Sequence, residues 1–191
     1  MINIKAIKNV LRVVWICILA VSILFYIFYG DYITAGSITK WVAQHNQALV
    51  LTYCFLWIIR GLFLIPGTPF IFAGILLFPG NPMFLYIMSM VCFFFSSVLI
   101  YYCSEIGFGD YFEKKYPEKI AYLREKLSRP TAFYFIAFVT MLPISPTDLI
   151  VYVAGSVKLP FRKVIIPVLI GEGVIVAIYV FNGVRLMEYL S

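Results

Sequence analysis

Long apolar segments separated by short polar ones make up most of the chain. Val13 to Tyr29 and Met83 to Ser104 carry no charged residue, and Val164 to Val184 carries only Glu172. A helix needs about 20 residues to cross a hydrocarbon core of ~30 Å. These segments therefore predict three transmembrane helices. The first is longer than the apolar part of a signal peptide and lacks a clear cleavage site, so we expect it to be retained.

Two proline-rich breaks interrupt the other apolar segments. Ala48 to Ile65 should form a helix that ends at the first break, and Thr131 to Leu142 one that ends at the second. Proline removes a backbone donor and pushes the preceding residue out of helical geometry. As a helix, the leg after the first break rises only about 15 Å, half of the hydrocarbon core. We therefore predict two re-entrant hairpins whose tips are formed by Pro66, Gly67 and Pro69 and by Pro143 and Pro146.

The two halves of the chain repeat one pattern. Each has a P-x-x-P break, then an Ala-Gly pair containing Gly74 or Gly155, then a further proline at the same spacing, Pro79 or Pro160. If the first hairpin enters from outside, the span that follows crosses inward, so the second hairpin enters from inside. Two similar units of opposite orientation form an inverted repeat, an arrangement found in many secondary transporters.

Composition and charge support a membrane location. The 191 residues are 63% hydrophobic and 13% charged, whereas soluble domains carry about a quarter charged residues. The net charge of +6 comes from basic residues gathered before the first apolar run, in one central loop and before the last run. This positive-inside pattern predicts a cytoplasmic N-terminus, with Gly30 to Gln47 outside. It also argues against a nucleic-acid partner. After Pro117, helical spacing of apolar residues predicts an amphipathic helix at the cytoplasmic headgroups.

The predicted fold is an all-α integral membrane protein with two re-entrant helical hairpins and an interfacial amphipathic helix. Residues 1–47 hold the first transmembrane helix and an outer loop, 48–184 form the membrane domain, and 185–191 form a short tail. The membrane domain is divided into a first hairpin, a span, an amphipathic loop, a second hairpin and a last span at residues 48–80, 83–105, 108–129, 130–157 and 162–184.

This stretch resembles the DedA superfamily, whose domain is also described as the VTT or SNARE-associated Golgi protein domain. The resemblance runs from about Arg60 to Gly183 and includes both breaks, the Ala-Gly legs and Asp148. Thr140 and Val151 depart from it, where an arginine and an asparagine are usual, as does Ser104-Glu105, where a basic residue is common. The resemblance implies lipid movement between leaflets of a bacterial plasma membrane and a role in envelope homeostasis. The implied activity is the scrambling of phospholipids between the two leaflets, or the return of a polyprenyl-phosphate carrier lipid from one leaflet to the other.

Ionisable residues inside the membrane segments are the functional candidates, because such groups are costly in a bilayer. Arg60 could hold a lipid phosphate through bidentate hydrogen bonds, form a salt bridge or extend to the interface. Asp148 could cap a helix or couple proton or headgroup movement. Glu172 could couple protons or pair with Arg60. We expect the breaks to line a polar cavity, since irregular backbone at membrane depth needs protein or water around it.

Catalysis and metal binding have little support in the sequence. His45 is the only histidine, and no hydrolase or phosphate-loop motif occurs. No C-x-x-C pair occurs, and we expect buried, small apolar roles rather than disulfides or metal sites for the four cysteines, Cys17, Cys54, Cys92 and Cys103.

We therefore predict no enzyme activity, no cofactor and no metal, with membrane lipids as partners. A homo-oligomer is left open. Two other functions also remain open. A proton-coupled transporter of a small solute is favoured by Glu172, and a scaffold without transport would not need the ionisable residues at all.

Overall fold

The computed structural model describes residues 4–44, 48–127, 129–143 and 145–190, and no strand occurs in these ranges. His45 lies outside them. The α-helices are α1 (Ile4–Tyr29), α2 (Ala35–Ala43), α3 (Leu49–Arg60), α4 (Thr68–Leu77), α5 (Pro82–Ser104), α6 (Asp110–Lys115), α7 (Pro117–Leu127), α8 (Pro130–Thr140), α9 (Thr147–Ser156) and α10 (Phe161–Leu190).

Within the described ranges, three apolar helical stretches are long enough to cross a membrane, at Arg12–Tyr29, Pro82–Lys115 and Phe161–Gly183. They agree with the three predicted spans. The last helix is longer than predicted, because α10 continues to Leu190 through most of the expected tail. The all-helical fold is therefore confirmed.

A helix occupies part of the predicted outer loop. Thr34 caps α2 by accepting a hydrogen bond from the backbone N–H of Ser37, at 3.2 Å. Ile38 and Val42 are buried where α2 packs against α4. This helix was not predicted, because its short apolar face becomes buried only by contact with α4, which is distant in the sequence.

The first break reverses the direction of the chain. After α3 comes a 3-10 turn at Gly61–Phe63, and Leu64 then takes the left-handed conformation with φ 55°. The Tyr53 hydroxyl donates to the carbonyl of Phe70 at 2.9 Å, and the rings of Tyr53 and Phe78 lie 5.7 Å apart. Helix α4 therefore runs back alongside α3. The beginning of α3 and the end of α4 both lie near the start of α5, where the Phe78 and Phe84 rings are 5.8 Å apart.

The second break also brings the chain back to where it began. Helix α8 ends at Thr140 and α9 begins at Thr147, as the prolines predict. Helix α8 starts directly after α7, and Arg124 of α7 donates to the carbonyl of Val157, just past α9, at 3.0 Å. Both ends of this unit therefore lie beside α7. Helix α7 itself confirms the predicted helix after Pro117, with Ile120 buried.

Helix α5 packs against both units through small residues. A Cβ on Gly155 would lie 2.1 Å from Oγ of Ser104 and 2.3 Å from the carbonyl oxygen of Tyr101, and a Cβ on Gly74 would lie 2.5 Å from Leu85. The predicted packing role is confirmed for the α5 serines, all of them fully buried: Ser89, Ser96, Ser97 and Ser104.

An ionic cluster joins three segments at one end of the molecule. Lys158 donates to Asp110 at 2.8 Å and to Glu113 at 2.9 Å, and these hydrogen bonds raise the pKa of its ammonium. At the same end, Arg12 donates to the carbonyl of Gly107 at 2.7 Å, in the π-helical turn after α5. The start of α1, the end of α5 and the start of α10 therefore share one end.

Candidate functional site

A cavity of about 410 Å³ lies where the two breaks meet. Its wall contains the three predicted ionisable residues and most of the predicted break residues, namely Arg60, Pro66, Gly67, Pro143, Pro146, Asp148 and Glu172. Pro69, Gly74 and Gly155 do not line it. Pro69 lies in the first turn of α4, where its missing N–H costs no helical hydrogen bond, and the two glycines pack against neighbouring helices.

Arg60 forms an ion pair across the two breaks. Its side chain is only 3% exposed, and Nη1 donates to Oδ2 of Asp148 and to the carbonyl of Ile65, the latter at 2.9 Å. The guanidinium carbon lies 5.3 Å from the centroid of a Trp57 ring. A Cβ on Gly67 would come within 2.8 Å of Nη2, so glycine makes room for the guanidinium. Of the predicted roles, the salt bridge is observed, and the side chain is buried rather than extended to the protein surface.

Asp148 lies in the first turn of α9 but does not cap the helix. Its Oδ2 accepts from Arg60, while its Oδ1 has no hydrogen-bond partner among the described residues. Nε of Arg60 and the hydroxyl of Ser145 are also without a partner there. Buried polar atoms are normally satisfied, and each exception needs an explanation. All three atoms belong to residues of the cavity wall.

Glu172 faces the same cavity from α10. It is 9% exposed, and its Oε2 accepts a hydrogen bond from the Thr147 hydroxyl at 3.1 Å. The predicted direct pair with Arg60 is absent from the ion pairs of the described residues, because Asp148 occupies that position. The site therefore holds two carboxyl groups and one guanidinium.

The cavity lies level with the middle of two long helices. Glu172 is the central residue of the apolar stretch Phe161–Gly183, and Phe93, another wall residue, is the central residue of α5. From either centre, the helix rises about 16 Å to its end, which is half of a ~30 Å hydrocarbon core. Charged and hydrogen-bonding groups are thus concentrated where an apolar environment is costliest for them.

The family follows from a comparison of sequences. The sequence profile of the VTT domain, which is the domain of the DedA and SNARE-associated Golgi protein family, matches residues 65–185. The chain belongs to this family. The match includes both breaks, Asp148 and Glu172, whereas Arg60 lies just before it. No solved structure matches this VTT-domain protein.

Several residues of this VTT-domain site were not predicted from the sequence. Trp57 lies one helical turn before Arg60, a spacing at which side chains on a helix meet. Tyr179 lies two turns after Glu172 on the same face of α10, and it also lines the cavity. Thr147 directly follows the second break. Only its contact with Glu172 gives it a role, and no local pattern signals that contact.

The cysteines of the VTT-domain protein are all free thiols. Cys92 is buried as predicted, but Cys17 is exposed, so the expectation of burial is wrong there. It lies on α1, much of whose apolar surface is uncovered by the rest of the chain. Within the described ranges, no group of histidine, cysteine, aspartate and glutamate side chains could hold a metal ion.

Proposed function

We propose that this VTT-domain protein moves a phosphate-bearing lipid between the leaflets of the plasma membrane, in support of envelope homeostasis. The lipid is a phospholipid or a polyprenyl-phosphate carrier lipid. The observation that carries the proposal is the cavity with Arg60, Asp148 and Glu172 at mid-height of two apolar helices. A headgroup that crosses the hydrocarbon core needs polar partners there, since a bare charge in an apolar medium is very costly.

In this proposal the two break units are re-entrant hairpins of an inverted repeat. The two ends of the first unit, α3 and α4, lie near the start of α5, and the two ends of the second unit, α8 and α9, lie near its end. This arrangement supports insertion from opposite faces. The basic ends agree with a cytoplasmic N-terminus, because Arg12, Lys158 and the lysines of α6 and α7 lie at one end. The tips would meet near the bilayer centre, where half-spanning helices can present polar backbone to a substrate.

The cavity wall also supports a lipid as the substrate. Two of its residues, Leu142 and Leu149, are apolar and 46% and 43% exposed. In this proposal the cavity opens beside these side chains, against hydrocarbon. A lipid could place its headgroup in the cavity while its acyl chains stay in the bilayer.

The test is transport in liposomes that contain the purified full chain. We expect labelled lipid to equalise between leaflets faster than in empty liposomes. Arg60→Ala and Asp148→Asn should each slow this by about tenfold or more, since each leaves a buried charge or acceptor unpaired. Arg129→Ala is the matched control, because Arg129 is exposed on the surface. No acceleration for any lipid class would contradict the proposal.

Proton-coupled transport of a small solute is the second candidate, and Glu172 in the cavity favours it. Uptake of a solute that collapses with the proton gradient would support this alternative over lipid movement. The scaffold alternative predicts that neutralising Arg60, Asp148 and Glu172 leaves cellular function unchanged.

A further inference from the structure

We infer that the exposed face of helices α6 and α7 binds anionic headgroups of the membrane lipids around it, with phosphatidylglycerol as the representative ligand. All the residues of this face, called the basic face below, are exposed: Lys115, Tyr116, Lys119, Tyr122, Leu123 and Lys126. None of them lines the cavity. Binding at this face is therefore separate from the proposed movement of lipid and does not depend on it.

Helix α7 has three sides of different character. Ile120 is buried and Arg124 and Leu127 are partly buried, and their spacing places them on the side that packs against the molecule. The α7 residues of the basic face recur at i, i+3, i+4 and i+7, so they form a second side. Glu118 and Glu125 lie on a third side, about 100° round the helix from the middle of the basic face. Lysines and glutamates of α7 are thus separated, as suits a helix with an anionic layer along one side.

The basic face lies at the level where the apolar helices end. The apolar stretch Pro82–Lys115 ends just before α7, and the apolar helix α8 begins at Pro130, soon after it. Arg124 holds α7 beside the turn between α9 and α10 by donating to the carbonyl of Val157 at 3.0 Å. When α5 spans the bilayer, the basic face is therefore at the headgroup layer.

The lysines of the basic face have no carboxylate partner within the described part of the chain. The carboxylates that α6 and α7 bring to ion pairs go to other bases: Glu113 pairs with Arg124 and Lys158, and Glu125 pairs with Arg129. An ammonium has three N–H donors and no acceptor, so a phosphate is a suitable partner for each of these lysines.

Tyrosine rings lie beside each of these ammonium groups. Nζ of Lys115 is 5.4 Å from the centroid of Tyr116, and Nζ of Lys119 is 5.6 Å from the same centroid. Nζ of Lys126 is 5.6 Å from the centroid of Tyr122. Tyrosine is enriched at membrane interfaces because its ring is apolar and its hydroxyl is polar.

The apolar part of the basic face favours a lipid over a soluble anion. Tyr122 is 60% exposed and Leu123 is 37% exposed. In the headgroup layer these side chains would enter the boundary with the acyl chains, while the ammonium groups stay with the phosphates. A soluble anion would contact the lysines but leave the apolar groups in water.

The experiment compares two lipids that share the same acyl chains and differ in net charge. The purified full chain receives equal amounts of phosphatidylglycerol and phosphatidylcholine, and native mass spectrometry counts the lipids bound. Each lysine near an anionic surface strengthens attraction by about fivefold, so we expect at least a tenfold preference for phosphatidylglycerol. Equal binding of both lipids by the unchanged protein would overturn the inference, whatever the outcome of the transport assay.

A triple variant assigns the preference to the basic face. With Lys115→Gln, Lys119→Gln and Lys126→Gln combined, we expect the preference to fall to about twofold or less. The matched control removes three exposed cations elsewhere, through Lys40→Gln, Arg162→Gln and Lys163→Gln, and should keep most of the preference. An equal loss in both triple variants would overturn the assignment to this face.

Salt gives a test that needs no variant. Attraction between exposed charges is screened as ionic strength rises, so the preference of the unchanged protein should weaken steadily with added salt. A preference that salt leaves unchanged would overturn the electrostatic basis of the inference.

Soluble competitors separate the membrane lipid from other anions. Glycerol phosphate carries the headgroup chemistry without acyl chains, and we expect an excess of it to leave the bound phosphatidylglycerol in place. Displacement by glycerol phosphate would overturn the lipid as the ligand. Displacement by a polyglutamate peptide, in the unchanged protein but with no such binding in the lysine triple variant, would assign the face to an acidic protein instead.

Discussion

The Arg60–Asp148 pair is the contact between the two breaks that most needs a functional explanation. Burying two charges costs desolvation energy that their attraction often only repays, and apolar pairs of similar size can be as stable. The pair lies in a cavity wall and each partner keeps an unpartnered atom. Under the proposed function, the pair would serve the passage of the headgroup as well as stability.

A double substitution separates a role of the Arg60–Asp148 pair in transport from a role in stability. Arg60→Met alone leaves the Asp148 carboxylate buried without its partner, so we expect a loss of about 3–5 kcal/mol of unfolding free energy. Arg60→Met combined with Asp148→Leu should recover most of this loss, because both charges are gone. Lipid transport should be slow in both variants. The measurements are unfolding in detergent micelles and the liposome assay. Transport by the double variant would show that the pair has a structural role only.

Sequence reasoning identified the ionisable residues of the site but not their partners. Arg60, Asp148 and Glu172 stand out because a charge in an apolar segment is visible locally. That Arg60 contacts Asp148, and Glu172 contacts Thr147, depends on how distant segments meet. The sequence left the partner of Arg60 open, and packing selected Asp148 rather than Glu172.

At the scale of elements, the prolines placed both breaks correctly. Proline acts on its own residue and the one before it, which accounts for the end of α4 at Leu77, two residues before Pro79. Helix α3 ends at Arg60 rather than at the predicted Ile65, because the chain tightens into a 3-10 turn before the prolines. Helix α2 was not predicted, since its apolar face is buried only by its contact with α4. The repeat glycines were found by pattern, while their role against α5 needed the structure.

The glycines of the two legs should differ in their response to alanine. In Gly155→Ala the new methyl meets the backbone carbonyl of Tyr101, which cannot move away, so we expect a loss near 3 kcal/mol. In Gly74→Ala it meets the Leu85 and Tyr53 side chains, and the cost should be nearer 1 kcal/mol. Gly80→Ala is the control, since its Cβ would meet nothing within 4 Å.

Thermal unfolding of the three purified variants in one detergent tests this order. If Gly155→Ala were as stable as Gly80→Ala, the close packing of α9 on α5 would be wrong. That packing fixes where the second break lies, so transport should fall together with stability in Gly155→Ala.

For the whole molecule, the proposed mechanism depends on the side from which each hairpin enters. The contacts place Lys158 beside Asp110 and Glu113 at one end of α5. At the other end of α5, the Phe78 and Phe84 rings lie 5.8 Å apart. If α5 spans the bilayer, the turn between α4 and α5 and the turn between α9 and α10 therefore face opposite compartments.

Cysteine labelling in a variant without the native cysteines tests this topology. We expect Gly80→Cys to react with an impermeant maleimide from outside and Arg162→Cys from the cytoplasm, because they follow the two hairpins. Thr68→Cys, in the cavity wall, should react slowly from either side, because the proposed site lies at mid-depth, away from both aqueous phases. Rapid cytoplasmic labelling of Thr68→Cys would mean that α3 and α4 cross the membrane completely.

The amino-acid sequence alone determined the membrane class, the three long helices and the two breaks. Each depends on hydropathy or on proline geometry, which act over a few neighbouring residues. The tertiary structure decided that Arg60 meets Asp148, that Glu172 joins them, and that all three share one cavity. These residues are far apart along the chain. Their meeting depends on how helices from both halves pack around α5, which no local pattern encodes.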